Sequence, residues 1–276
     1  MKKLIGLCLS LFCLCAMAAQ SPILMFDSDG KGDLPSRFRT SSDVIDANHG
    51  INTTGLSDLH IMGSRQFSVS QLAYIKNKFS NTPITIIDVR QESHGFLDGF
   101  PISWRDEHNA ANRGKTNAEV EATQQALLDN LKQQTTVNVM AMMPNPQTGA
   151  LQFKSIPMPP KVVLSEADLA KKMGLGYERF YVTDESQPTH AEYQRFVQFV
   201  SNVPPGTWLY FHCQAGEGRT TTFMILYDCM KNGDQVSFDD IVKRQIALGG
   251  KDFTQDKARM AGLRTMCMRI EGSRGE

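Results

Sequence analysis

Trp208-Leu-Tyr-Phe-His-Cys-Gln-Ala-Gly-Glu-Gly-Arg-Thr-Thr-Thr222 is the stretch on which the reading of this chain turns. An apolar run ends in Cys213, a loop of five residues carries Gly216 and Gly218, and Arg219 opens the next predicted helix. A strand that passes through a Gly-rich turn into a helix aims backbone N–H groups and the helix N-terminus at one point, which makes an anion cradle. Gln214, Ala215, Gly216, Glu217 and Gly218 are the residues that wrap the bound anion. Cys213 lies at the base, and electropositive surroundings of this kind favour the nucleophilic thiolate over the thiol. The planar fork of Arg219 matches two oxygens of a phosphoryl group, a geometry that Lys lacks. Thr220 is placed to donate a hydroxyl hydrogen bond toward the sulfur and help it leave phosphorus. His212 reads as a support that orients the loop, not as a base.

A thiolate nucleophile needs an acid to protonate the leaving oxygen. Asp184, in Tyr181-Val-Thr-Asp-Glu-Ser-Gln-Pro-Thr189, lies 29 residues before Cys213 at the end of a predicted strand and just before a capped helix. It is the candidate general acid, with Glu185 as the neighbour that could be confused with it.

The surrounding pattern is α/β. Helices are predicted near 69–79 with Ser68 as cap, over 117–133 with Asn117 as cap, over 165–173 closed by Gly174, and after a Thr189/Glu192 capping box. Further helices are expected at 220–230, 238–248 and 254–270. Ile84–Val89, Phe180–Val182 and Thr207–His212 read as strands. Residues 137–157 read as a β-hairpin around Pro144-Asn-Pro-Gln-Thr-Gly149, a small β insertion, and residues 19–60 as an extended arm with loops.

Composition bounds the partners. The 276 residues carry 29 Lys+Arg against 29 Asp+Glu. A neutral chain does not coat nucleic acid or an anionic membrane through its overall field, so an anionic partner must be met locally. Lys2 and Lys3, the apolar run to Met17 and Ala16-Met17-Ala18 read as a secretory signal peptide over 1–18, too short for a membrane anchor. Its removal takes both lysines and leaves a net charge of −2, with residues 19–276 as the phosphatase domain. Cys8, Cys13 and Cys15 leave with it. Of the remaining Cys213, Cys229 and Cys267, the last two are expected as separate buried thiols, with a disulfide as the alternative. No CxxC or HxxxH spacing accompanies them, so neither metal nor cofactor is expected.

Cys-x5-Arg-Thr is the signature of the protein-tyrosine-phosphatase superfamily, and its late position resembles the tyrosine and dual-specificity arrangement. Asp88-Val-Arg-Gln-Glu-Ser-His-Gly-Phe-Leu-Asp-Gly99, Ile102-Ser-Trp104, Val182-Thr-Asp184, His212-Cys-Gln-Ala-Gly-Glu-Gly-Arg-Thr-Thr221 and Arg244-Gln-Ile-Ala-Leu-Gly-Gly250 together resemble the bacterial protein-tyrosine-phosphatase-like phytases, or cysteine phytases. The resemblance runs from about Pro35 to Gly250. It implies a phosphatase-type domain, a central sheet flanked by helices, beside a small partial β-barrel, and stepwise, metal-free hydrolysis of myo-inositol polyphosphates. Glu217 departs from the family, where that position is often apolar, and the tail after Gly250 is short.

Such a substrate needs cations beyond the loop. Arg37, Arg39, His94, Arg105 and Lys251 are the candidates, whereas Arg90 and Glu92 read as a structural ion pair. The alternatives are a phosphotyrosine or dual-specificity protein phosphatase, a sulfurtransferase, and a non-catalytic phosphoinositide- or anion-binding module. The last would normally have lost Cys, Arg or the acid, and all three are present. Neither nucleic acid nor stable membrane insertion is expected.

Overall fold

The computed structural model describes residues 22–46, 50–106 and 109–272, so the predicted signal peptide lies outside the described residues. Two sheets carry the chain. One has five strands ordered β10-β4-β11-β3-β2, with β2 Arg39–Thr40, β3 Ile61–Arg65, β4 Ile84–Asp88, β10 Gly176–Arg179 and β11 Trp208–Cys213. All pairings are parallel except β2 against β3. The other has six strands ordered β8-β7-β1-β6-β5-β9, with β1 Ile23–Phe26, β5 His94–Leu97, β6 Phe100–Arg105, β7 Val137–Pro144, β8 Leu151–Met158 and β9 Val163–Leu164. This second sheet ends in β8 and β9 and does not close into a barrel. The helices are α1 Val69–Lys78, α2 Asn117–Gln133, α3 Glu166–Met173, α4 His190–Ser201, α5 Gly218–Asn232, α6 Phe238–Ala247 and α7 Lys257–Gly272.

β11 is buried on both faces, as a central parallel strand must be. Leu209, Phe211 and Cys213 face the core shared with α4, α5 and α6, while Tyr210 packs with Phe67, Leu72 and Leu169 on the opposite side. Burial of each large apolar side chain in these cores contributes about 1.5–3 kcal/mol. The period of two sends His212 to the face opposite Cys213, which is why adjacent residues meet different partners.

Several sequence expectations need correction. The arm is not merely extended, because β1 lies inside the six-stranded sheet between β6 and β7. The hairpin forms as β7 and β8, and it is the end of that same sheet. Strands β3, β5 and β6 escaped notice because their runs are short and interrupted by Gly, Ser, Pro and Arg: β3 is held by remote β11, while β5 and β6 form a local hairpin across Asp98-Gly99, both at positive φ, that joins the sheet through remote β1 and β9. The strand expected at Phe180–Val182 lies earlier, at β10, and Phe180 only extends the ladder through its N–H to the Asp88 carbonyl at 2.8 Å. Helix α2 is capped by Thr116 in a box with Glu119, not by Asn117. Thr189 caps α4, but Glu192 turns away to accept from the Tyr181 N–H at 3.0 Å and from Asn117 at 2.7 Å. Cys229 and Cys267 form a disulfide, because α7 packs on α5 and brings their Cα atoms to 5.6 Å. A spacing of 38 residues could not show that contact.

Candidate active site

The C-terminal ends of β3, β4 and β11 converge where the Cys213 loop turns into α5. Helices α1, α2, α3, α4 and α6 each begin with a Ser or Thr side chain accepting a backbone N–H. Helix α5 has no such cap, so the donors of its first turn face the loop without a side-chain acceptor. Gly216, at φ +73°, makes the turn; a Cβ there would lie 2.3 Å from the Arg65 backbone nitrogen. Only glycine lets the loop rest on the end of β3. Cys213 is buried as a free cysteine, and the Thr220 hydroxyl is buried without a protein partner among the described residues.

Arg219 is also buried, and its fork is shared. Nη1 and Nη2 donate to the two Glu92 carboxylate oxygens at 2.5 and 2.9 Å, and Nη1 also donates to the Val182 carbonyl at 3.1 Å. Nη2 lies 3.0 Å from Asp184 Oδ1. Burial alone would raise the Glu92 pKa, but Arg219 and Arg90 outweigh it and hold the carboxyl well below the usual range. Glu92 therefore does more than pair with Arg90, which it meets at 2.8 Å; it also fixes Arg219. Sequence reasoning missed this second role because nothing in local spacing connects residues 127 positions apart.

Asp184 arrives on the segment after β10. Gln91 N–H donates to the Val182 carbonyl at 3.1 Å, and Thr183 Oγ1 donates to Gln91 Oε1 at 2.7 Å, which ties this loop to the end of β4. Asn109 Nδ2 donates to Asp184 Oδ2 at 2.7 Å, a partner that no sequence pattern marked. Glu185, the competing acid, stands at φ +59°, and its carbonyl accepts from Arg259 at 2.7 Å.

The candidate cations divide into two groups. Arg39 is buried beneath the loop, donating from Nη1 to the Gly216 carbonyl at 3.1 Å and from Nη2 to Thr221 Oγ1 at 3.2 Å. Burial lowers its pKa to about 10, with the Cys213 sulfur acting in the opposite direction. Its contacts make it a support of the cradle. His94 is buried too, with Nε2 3.1 Å from Asp88 and 3.6 Å from Glu166. Burial opposes its protonation, but Asp88 raises its pKa on balance. That enclosed position removes it from the outer substrate contacts expected from sequence. His212 Nε2–H donates to the same Glu166 carboxylate at 2.6 Å, which anchors the ring to α3.

The second group lies at the rim. Arg37 donates to the Ala215 carbonyl at 3.1 Å and pairs with Glu217 at 2.5 Å, while Lys251 meets the other Glu217 oxygen at 3.4 Å. Glu217 thus partly neutralises two rim cations. Arg105 is partly exposed and pairs with buried Asp27 at 3.0 Å. Arg65, opposite Cys213 in the β3–β11 register, donates to the Asp27 carbonyl. Burial, with Arg105 and Arg37 nearby, lowers its pKa. Arg65 and Arg259 were not anticipated; a sequence gives no way to tell which surface arginines share a rim. Among the described residues, no group of three or more His, Cys, Asp or Glu is placed to hold a metal ion, and no helix is long and apolar enough to cross a membrane.

This constellation has recognisable relatives. The sequence model of the PTP-like phytases, described by the words inositol hexakisphosphate, matches residues 87–231. The chain belongs to the PTP-like phytase family. The tandemly repeated PTP-like phytase of Mitsuokella multacida superposes with a TM-score of 0.80 at 29% identity, over 92% of this chain and 47% of that one. The PTP-like myo-inositol phosphatase of the same organism, in complex with myo-inositol-(1,3,4,5)-tetrakisphosphate, gives 0.79 at 29% identity, covering 91% and 46%. A PTP-like phytase of Bdellovibrio bacteriovorus gives 0.70 at 27% identity over 91% of this chain and 89% of its own. The effector protein hopD2 of Pseudomonas syringae pv. tomato is 31% identical over 221 residues, 77% of this chain and 46% of that protein. This PTP-like phytase chain therefore spans about half the length of the Pseudomonas relative and of the Mitsuokella chains.

Proposed function

We propose that this member of the family is an exported phosphatase that removes phosphate stepwise from myo-inositol polyphosphates through a phosphocysteine intermediate. The observation that carries the reading is Arg219, fixed by Glu92 on one side and reaching Asp184 on the other, at the start of the helix that follows Cys213. A phosphoryl group entering the cradle takes up Arg219 donors and releases Asp184 to face the leaving oxygen. The Cys213 thiolate attacks phosphorus, the phosphorus–oxygen ester bond breaks, and Asp184 gives its proton to the departing inositol oxygen. Water then attacks the phosphocysteine, Asp184 accepts its proton, and the sulfur–phosphorus bond breaks to release phosphate. Arg219 and the loop N–H groups stabilise the equatorial charge in both steps.

Inositol polyphosphate as the substrate class is supported by the tetrakisphosphate complex of the Mitsuokella relative and by Arg37 and Lys251, which contact the loop. Export is supported by the N-terminal pattern and by the Cys229–Cys267 disulfide, which suits an oxidising compartment.

Phosphate release from phytate, with chelator present, tests the scheme. Cys213→Ser should be inactive, and Asp184→Asn should lose about 10²–10⁴-fold in turnover with KM nearly unchanged. Full activity of the Cys213 variant would refute the thiol route. Faster turnover of a phosphotyrosyl peptide than of phytate would replace the substrate class with phosphoproteins.

A further inference from the structure

We infer that Arg259 on α7 is a positioning residue that holds the acid loop in its working place, an inference that rests on Asp184 being the general acid. The Arg259 Nη2 donates to the Glu185 carbonyl at 2.7 Å, one residue beyond Asp184. Glu185 stands at φ +59°, a conformation that a residue other than glycine keeps only where its surroundings impose it. Nη1 of the same guanidinium is buried without a protein partner among the described residues and lies 3.9 Å from where a Cβ on Gly218 would be. The fork therefore spans the acid loop and the first residue of α5. Phe253 lies under the guanidinium, 4.8 Å from ring centroid to Cζ, and Asp256 holds Nε at 3.4 Å, so the side chain is supported from two further directions.

The rest of α7 contacts the same region. One turn on, Gly262 approaches Gln187 so closely that a Cβ would meet Oε1 at 2.3 Å. The Met266 carbonyl accepts from Tyr193 Oη at 2.8 Å, which reaches the helix that follows the acid loop. Leu263 is buried, and Cys267 is bonded to Cys229 on α5. Residues 259, 262, 263, 266 and 267 fall at the spacing of one helical face. That face covers residues 185–187, and the disulfide fixes it to the helix whose first turn carries Arg219. Because Arg259 acts on a backbone carbonyl, its effect on the reaction passes through Asp184 and does not require contact with substrate.

Leaving-group dependence separates this role from binding or general stability. An acidic phenol departs without much help from an acid, whereas an inositol oxygen does not. Turnover of phytate and of p-nitrophenyl phosphate is measured for the wild type, Arg259→Ala, Arg259→Lys, Asp184→Asn and the Arg259→Ala/Asp184→Asn pair. A displacement of about 1 Å at a reacting group costs on the order of 10²-fold. Arg259→Ala should accordingly lose about 10- to 100-fold in phytate kcat and only a few-fold on the aryl ester, with KM for phytate little changed. It should add nothing to the loss already present in Asp184→Asn. Arg259→Lys keeps the alkyl stem and one donor, and provides the same comparison if the alanine variant fails to fold. A large rise in KM at unchanged kcat would overturn the inference in favour of a substrate ligand. Equal losses on both esters, or additivity with Asp184→Asn, would overturn it in favour of a role in the Cys213 loop or in folding. If Asp184→Asn itself loses equally on both esters, Asp184 is not the acid, and the inference falls with that assignment.

Discussion

Replacing Glu92 by Gln tests whether one buried carboxylate holds Arg219 in place. The substitution keeps shape and removes charge. Glu92 accepts two bonds from Arg219, at 2.5 and 2.9 Å, and one from Arg90 at 2.8 Å. Arg90 keeps Asp27 at 2.9 Å, and Arg219 keeps the Val182 carbonyl at 3.1 Å and the partly exposed Asp184 at 3.0 Å. Removing one member of a buried ion pair typically costs about 3–5 kcal/mol, and the partners that remain place this case near the lower end, at about 3 kcal/mol. With a urea slope of about 3 kcal/mol/M, the unfolding midpoint should fall by about 1 M at pH 7. Turnover should fall by about 10²-fold, because Arg219 is no longer held in the orientation that suits the phosphoryl oxygens. The pH dependence supplies a sign. A carboxyl whose folded pKa is depressed contributes stability that is complete above its unfolded value of about 4.3 and is lost as pH falls toward the folded value. The gap between wild type and variant should thus be constant near neutrality and narrow only below about pH 4. A midpoint shift below about 0.3 M together with normal turnover would refute the argument.

Other perturbations address separate parts of the molecule. Gly216→Ala forces a Cβ to within 2.3 Å of backbone at φ +73°, and phytate turnover should fall by about 10²-fold or more; normal kinetics would show that the loop does not rest on β3 as described. Breaking the Cys229–Cys267 link by Cys229→Ala/Cys267→Ala opens a 38-residue loop and should cost about 4 kcal/mol of unfolding free energy by urea titration. Glu217→Gln frees Arg37 and Lys251 and should lower KM for phytate several-fold at low salt, an effect that added salt reduces. The raised pKa of His94 contributes stability that is complete below about pH 6.5 and lost as pH rises through the folded value. Melting temperatures of the wild type should therefore decline above about pH 6.5, and His94→Gln should flatten that decline.

Most of the chemistry was legible in one stretch of chain, because a Cys-loop is a local device. Strand, turn and helix N-terminus are consecutive, so Cys213, Arg219 and Thr220 could be placed by order alone. The helices were equally local, through periodicity and caps such as Ser68 and Thr189. The six-stranded sheet was not, because β1 meets β6 and β7, and β5 meets β9, from far along the chain; the β5–β6 hairpin alone is local, marked by Asp98-Gly99. The outer cations were the least legible. Arg39 and His94 looked like surface ligands, yet one supports the loop carbonyls and the other is enclosed with Asp88 and Glu166.

The sequence by itself determined the candidates for nucleophile, phosphoryl-binding arginine and acid, Cys213, Arg219 and Asp184, since each follows from residue type and order within a short segment. Only the tertiary structure decided what holds them. Glu92 reaches Arg219 across 127 positions, Arg259 reaches the loop of Asp184 across 74, and Cys229 meets Cys267 through helix packing. Coulombic attraction and hydrogen bonding depend on distance in space, and distance in space between remote segments is set by how the two sheets and their helices pack.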